Sequence, residues 1–449
     1  MPVVCVVGAG LAGSELSYQL ANKGIEVVLY EPRLSSKYLN GIHSTDKMAE
    51  LVCSNSLRSN KLHNSAGLLK EELRRCGSML ISVADKHAVP AGSSLAVSRE
   101  DFSIEVTDRI SSTKGITIID KEVVELGTLL RDYDAVVLAS GPHTSASLSK
   151  ELKAVIGEEY LYFYDAIAPL VEHSSIDMNI CFRASRGGES EEGDYINAPF
   201  SKEEYYQFVE ELKKGEKIPV HSGDEGVFFR GCMPVEVMAE DSPDTLLYGP
   251  MRSDGIIDPR TGKRSYAVVQ FRQDRAAGDI YNIVGFQTRL TYPEQKRIFS
   301  KIPGLENVEF VRLGSMHRNT FVNAPRVMNG DMSLKREKNL FLAGQISGVE
   351  GYIESIAQSF FVLRSLLIRL KNIELPVLPN FTAMGALQNY LISADPKDFQ
   401  PMKINFGLLP ALSSDDKKAF METKSKFENK LAFSRRSLFF FDKYFSKIN

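Results

Sequence analysis

The chain has no tryptophan and only five cysteines in 449 residues. Cys5, Cys53, Cys76, Cys181 and Cys232 are an odd set, and no two stand in a C-x-x-C pair. Neither a disulfide framework nor a zinc site of paired thiolates is expected from such spacing. No apolar run reaches the ~18 residues that cross a bilayer. The apolar start, MPVVCVVGAGLAG, has no basic stretch before it and is broken by glycines, so it reads as a buried strand and not as a signal sequence. The expectation is a cytoplasmic protein with no membrane and no metal. An excess of one charge is missing too: 54 Lys and Arg against 57 Asp and Glu leave −3. Bulk charge therefore does not announce a nucleic-acid partner, and any RNA-binding face has to be local. With 43% hydrophobic and 25% charged residues, the composition is that of an ordinary globular protein. Its length suits about two or three domains.

The apolar run 3–7, VVCVV, ends in Gly8-Ala9-Gly10-Leu11-Ala12-Gly13. A helical pattern follows over 14–22, closed by Gly24, and a second apolar run, 25–30, ends at Glu31. This strand, glycine turn, helix, strand and terminal acid form the dinucleotide-binding fingerprint. The first glycine makes the tight turn, the second lets the backbone approach a pyrophosphate, and the third lets helix and strand pack closely. The helix N-terminus offers free N–H groups and partial positive charge to the phosphates. Glu31 can accept from ribose hydroxyls, which favours FAD or NAD over NADP.

The pattern recurs at 134–142, DAVVLASGP, and at 339–355, NLFLAGQISGVEGYIES. Three strand-to-glycine junctions at long intervals point to an α/β fold: a discontinuous Rossmann-like FAD-binding domain with an inserted α+β domain. The boundaries expected are 1–160 for the first part and 161–325 for an inserted substrate or RNA domain. Residues 326–449 would be the closing part with a C-terminal helical tail. No second GxGxxG is present, so a reduced nicotinamide would visit a shared pocket.

Two cysteines stand in polar settings. Cys53 lies in LVCSNSLR, near Lys47 and Arg58, and a neighbouring cation favours the reactive thiolate. Cys232 lies in RGCMPVE, where Gly231 and Pro234 make a turn, a setting for an exposed nucleophile. Most free cysteines are buried and inert, and on composition and spacing alone that is the commoner case for each. Cys5 reads as packing, and Cys76 and Cys181 have no supporting context. In MHRNTFVN, His317 can titrate or stack on a planar ligand and Arg318 can grip a carboxylate; a hydrogen-bonded loop accounts for them as well. The segment 415–447 mixes Lys and Phe, which suits either a nucleic acid or, more commonly, an amphipathic helix with a solvated basic face.

Longer motifs carry a resemblance. GAGLAGSE (8–15), TDKMAELVCSNSLRSN (45–60), VPAGSSLAV (89–97), GCMPVEVMAE (231–240), DPRTGKRSYAVVQFRQ (258–273), PGLENVEFVRLGSMHRNTFVNAP (303–325), GQISGVEGYIES (344–355) and FQPMKINFGLLP (399–410) are similar to those of the bacterial folate- and FAD-dependent tRNA (uracil-54-C5)-methyltransferases. These are relatives of the larger flavoproteins that modify the wobble uridine. The resemblance runs from about residue 3 to about 410. It implies passage of the one-carbon unit of 5,10-methylenetetrahydrofolate, through FAD reduced by NADPH or NADH, to C5 of uridine 54 in the tRNA T arm. Cys232 would add to uracil C6, and Cys53 would abstract the proton. The implied cofactor set is Gly8, Ala9, Gly10, Leu11, Ala12, Gly13, Glu31, Asn55, Gly141, Gly344, Gln345, Gly351 and Tyr352, with His317 and Arg318 on the folate side. Two departures stand out: Arg230 where an acid often precedes the GCMP glycine, and Arg289 where a histidine often follows GFQT. The same chemistry on a 23S rRNA uridine, and a small-molecule FAD oxidoreductase, are the alternatives.

Overall fold

The computed structural model describes residues 2–35, 43–157, 161–186, 193–219 and 233–446; for His143, 161–165, His317 and Arg318 it describes the backbone alone. Cys232 and most of the 186–194 loop lie outside the described residues.

Val3–Val7 is the middle strand of a five-stranded sheet in the order Leu340–Leu342, Ala135–Leu138, Val3–Val7, Glu26–Tyr30, Ile116–Ile119. All four pairings are parallel. A parallel sheet is covered on both faces, so its strands are continuously apolar; Val4, Cys5 and Val6 are fully buried. Burial pushes the Cys5 thiol up to about 12, in keeping with a packing role. Leu340–Leu342 arrives about 200 residues after Ala135–Leu138 in the chain and pairs with it directly.

The helix Leu11–Asn22 begins inside the glycine turn, three residues before the periodicity starts: Ser14 N–H already donates to Gly10 O at 3.0 Å. It packs against Tyr352–Lys371, a 20-residue helix that starts at Gly351 (φ +111°) and stops at Asn372 in the left-handed conformation. Both feed one core with the parallel sheet.

The middle of the chain forms a six-stranded antiparallel sheet, ordered Phe182–Ala184, Tyr195–Phe200, Ala267–Gln273, Ile280–Ile283, Leu170–Glu172, Phe310–Arg312. It has its own core, including Phe200, Phe208, Phe271, Phe286 and Phe299. Lys202–Lys214 is started by a capping box between Ser201 and Glu204. Ser315–Phe321 pairs antiparallel with Leu161–Ile167. His317 and Arg318 are therefore mid-strand, opposite Asp165 and Tyr164, and not in a loop; the partner strand lies about 150 residues upstream, beyond the reach of local patterning.

The C-terminal helix Lys426–Phe445 is amphipathic, burying Ala432, Leu438, Phe441 and Tyr444 while Lys426, Lys430 and Lys443 stay exposed. One of its cations departs from that pattern. Arg436 is fully buried, bonded to Asp416, Pro410 O and Ala411 O, between the rings of Phe381 and Phe433. Among the described residues no helix is long and apolar enough to cross a membrane, and no group of three or more His, Cys, Asp or Glu is placed to hold a metal.

Candidate active site

At the carboxyl end of the parallel strands, where open α/β sheets bind ligands, lies a cavity of about 400 Å³. Its walls come from all three glycine junctions: Gly8, Gly10, Leu11 and Ala12 from the first, Ser140 and Gly141 from the second, Gly344 and Gln345 from the third, with Tyr352 at the start of the late helix. Gly8 sits at φ +100°, and a Cβ there would stand 2.7 Å from Ala139 O. A Cβ on Gly13 would overlap the Gly8 carbonyl oxygen, so this glycine sets how closely helix and strand approach. Gly10 differs from both: a Cβ there would meet no protein atom within 4 Å. Its missing side chain leaves open space at a helix N-terminus, the cradle a pyrophosphate requires.

Glu31 stands beside the first glycine turn and lines the cavity with it. Its carboxylate accepts from Ala9 N at 2.8 Å, Arg33 N at 3.1 Å, Arg33 Nε at 2.8 Å and Arg33 Nη2 at 3.1 Å. Burial alone would raise this acid, but the Arg33 hydrogen bonds and charge, with the backbone donors, hold it below its ordinary value. It is therefore a fixed anion beside the turn. Arg33 was not among the expected site residues. It is buried and lines the cavity, and its Nη1 has no partner. Its position two residues after the terminal acid was the available signal. Glu50, which also lines the cavity, was missed as well; it gathers the backbone N–H groups of Ser44 and Thr45.

Beyond Tyr352 the site turns polar. The Tyr352 oxygen accepts from Cys53 N at 2.9 Å and Ser54 N at 3.0 Å, which pins the Cys53 loop to the end of the cavity. Burial pushes the phenol above its ordinary value, with the Cys53 thiol adding to the shift, so it keeps its proton. The Cys53 sulfur lies 3.9 Å from Ala166 O. The cations near Cys53 in sequence are committed elsewhere, Lys47 to Asp46 and Arg58 to Glu354. Its surroundings are arginines from distant segments. Arg99 forks onto Asp274 at 3.1 and 2.7 Å. Arg272 donates to Asn55 Oδ1 at 2.9 Å and Ser54 Oγ at 2.8 Å. Both stand near Cys53.

Asn55 is fully buried, away from the cavity wall. Its amide donates to Val97 O and Gln273 O, which makes it a strut between the Cys53 loop and the antiparallel sheet. Downstream of Cys232, Val235 N donates to Gln287 O, and the buried Glu236 accepts from Thr288 Oγ1 and Arg289 N, both at 2.8 Å. That flank is thus tied to residues 287–289. The structure brings Gly8, Gly10, Leu11, Ala12, Glu31, Gly141, Gly344, Gln345 and Tyr352 onto one cavity and attaches Cys53 to its end.

Residues 3–372 match the family model described as glucose inhibited division protein A. A Brevibacillus brevis protein named methylenetetrahydrofolate–tRNA-(uracil-5-)-methyltransferase TrmFO is 50% identical over 409 residues, 91% of this chain and 92% of its own. A Desulforudis audaxviator protein of the same name is 48% identical over 435 residues, covering 97% and 96%. Among solved structures, Aquifex aeolicus GidA superimposes with a TM-score of 0.68 at 14% identity, over 99% of this chain and 75% of that one; at that identity it speaks for the fold alone. With such identity along nearly the whole of both chains, this protein belongs to the methylenetetrahydrofolate–tRNA-(uracil-5-)-methyltransferase TrmFO family, within the wider glucose inhibited division protein A group.

Proposed function

We propose that the protein methylates C5 of uridine 54 in the T arm of tRNA, using 5,10-methylenetetrahydrofolate, FAD and NADPH or NADH. The observation that carries this reading is the attachment of Cys53 to Tyr352 at the end of a dinucleotide cavity. A reactive thiol there is what a pyrimidine-C5 transferase needs and a simple flavin oxidoreductase does not. The open space at Gly10 and the unpartnered Nη1 of Arg33 fit FAD. The Gly8–Gly13 turn would hold its pyrophosphate, Glu31 with Arg33 its ribose, and Gly344, Gln345 and Tyr352 its ring end. When bound, FAD supplies two-electron transfer between the nicotinamide and the one-carbon unit.

The chain supplies the thiols. C5 of uracil is a poor nucleophile until C6 is saturated; Cys232 adds there, and Cys53 takes the C5 proton. Tyr352 orients the Cys53 backbone. His317 and Arg318 are the residues assigned to the folate. In this reading 1–160 and 326–449 make up the flavin-binding body and 161–325 the substrate-binding insertion, and the protein works in the cytoplasm, where its tRNA is. Incubating the holoenzyme with a tRNA transcript, methylenetetrahydrofolate and NADPH, then mapping 5-methyluridine, tests the reading. Methylation at position 54 is expected; a methyl group on 23S rRNA and none on tRNA would move the assignment to the ribosome.

A further inference from the structure

The antiparallel sheet turns a row of donors toward Cys53. Its register sets Arg272 opposite Asn282, Asn282 opposite Leu170, and Leu170 opposite Arg312. Directly paired residues share a sheet face, so Arg272, Asn282 and Leu170 lie in one lateral row, and an irregularity between Phe310 and Arg312 brings Arg312 opposite Leu170 at its end. Arg272 is tied to Asn55 and Ser54 beside Cys53. The other two polar members are not satisfied: Asn282 Nδ2 and Arg312 Nε and Nη2 are buried with no hydrogen-bond partner.

A buried guanidinium edge without an acceptor is costly. Burial pulls Arg312 below its ordinary value, while Tyr352, Cys53 and Asp274 lie near enough to act on it in the opposite sense. Among the described side chains the local charge does not balance. Of these, Arg99, Arg272 and Arg312 all lie within reach of the charge of one carboxylate, Asp274, and Arg99 already takes both of its oxygens. The row has room for acceptors and none for further donors.

We propose that Arg312, with Asn282 beside it, is the group that receives the C4 carbonyl oxygen of the target uracil. This rests on the function proposed above and names a further catalytic residue for it. Uracil presents two carbonyl acceptors flanking a single N–H. A pterin edge presents an amino group and an N–H beside its carbonyl, and would call for a free carboxylate that this row lacks. The chemistry needs a cation at that oxygen. When the thiolate adds to C6, sulfur supplies the pair for the S–C6 bond, the C5=C6 pair becomes the C4=C5 bond, and the C4=O pair moves onto O4. The charge that began on sulfur ends on O4, with no oxidant or reductant consumed. A fixed guanidinium is most effective where charge develops in a site closed to water.

The test compares wild-type, Arg312→Ala and Arg312→Lys holoenzymes on tRNA transcripts carrying uridine or 5-fluorouridine at the target. Arg312→Ala should slow both methylation and covalent trapping of the fluorinated RNA by about 10²–10³-fold, the usual loss for one such donor. Flavin content, bleaching by NADPH and the apparent KM for folate should stay at wild-type values, and added guanidinium ion should restore part of the trapping rate. Should Arg312→Ala fail to hold flavin, Arg312→Lys decides: it keeps charge but loses the fork, and trapping at least about tenfold slower is expected by the weaker geometry. Wild-type trapping in a flavin-loaded Arg312→Lys or Arg312→Ala overturns the proposal. So does a raised folate KM with trapping unchanged, which would mean that the fork takes a folate carboxylate. A wild-type protein that neither methylates nor traps the RNA overturns the function itself and the proposal with it.

Discussion

Gly10→Ala should separate cofactor binding from folding. Gly10 has φ −72° and ψ −167°, a conformation open to alanine, and its new methyl would touch no protein atom within 4 Å. The Ser14 to Gly10 backbone bond uses only main-chain atoms and is kept. Alanine is a poorer helix cap than glycine, at a cost of up to about 1 kcal/mol, but it lowers the entropy of the unfolded chain by about 0.4–1 kcal/mol in compensation. The apoprotein should therefore unfold near the wild-type temperature. Bound flavin is another matter, because the methyl occupies the approach of the pyrophosphate to the helix N-terminus. Losing one charge-assisted hydrogen bond there costs about 1.5–3 kcal/mol, or about 10- to 150-fold in Kd. FAD titration of apoprotein, followed by flavin fluorescence quenching, measures this directly. Gly13→Val is the contrasting case: its side chain would overlap the Gly8 carbonyl oxygen, so it should lower apoprotein stability as well as flavin content. The reasoning is refuted if Gly10→Ala binds FAD with wild-type affinity, or if it unfolds as easily as Gly13→Val.

Cys232→Ala should keep FAD yet lose methylation and fail to trap 5-fluorouridine RNA, by at least the ~10²–10⁴-fold typical of a lost acid–base group; trapping by Cys232→Ala but not by Cys53→Ala, read on denaturing gels, would exchange the two roles. Asn55→Ala removes the strut between the Cys53 loop and the sheet and leaves one buried donor of Arg272, its Nε, unmet, so methylation should fall while the FAD Kd, measured by titration, stays within about threefold, since Asn55 is off the cavity. Glu72 is buried and accepts from Ala383 N, Met384 N and Ser437 Oγ, and burial pushes its carboxyl up to about 7. The folded chain then holds a proton that the unfolded chain releases between about pH 4.5 and 7, so this contribution is full below that window and is lost as pH rises through it. Glu72→Gln should flatten the fall in thermal midpoint across that range; an unchanged slope in a pH series of melts would reject the assignment. Arg436→Leu, which strips the acceptors of their buried partner, should destabilise the C-terminal helix by about 3–5 kcal/mol, visible as earlier proteolysis of that helix.

The parts of this protein legible in its sequence are those whose physics is local. The run 3–7 has to be a buried strand because it is apolar throughout. The turn at 8–13 reads as a phosphate cradle from its glycines alone: the left-handed backbone at Gly8, the close packing at Gly13 and the open space at Gly10 are all properties of consecutive residues. Glu31 and the late GQISGVEGY turn follow the same rule. The surroundings of Cys53 follow another. Lys47 and Arg58 are neighbours of Cys53 in sequence, yet each is neutralised by an acid of its own, while the arginines that do surround it come from residues 99, 272 and 312. Tyr352 reaches the Cys53 backbone across 299 residues, and Asn55 reaches Arg272 across 217. His317 and Arg318 become mid-strand residues only because Leu161–Ile167 lies alongside, and Arg436 is drawn from a seemingly solvated basic face into an aromatic sandwich. Periodicity and glycine spacing report the conformation of consecutive residues. Which side chain meets which across hundreds of residues is settled by the pairing of strands and the docking of helices, and it is that pairing which decides which arginines stand beside Cys53.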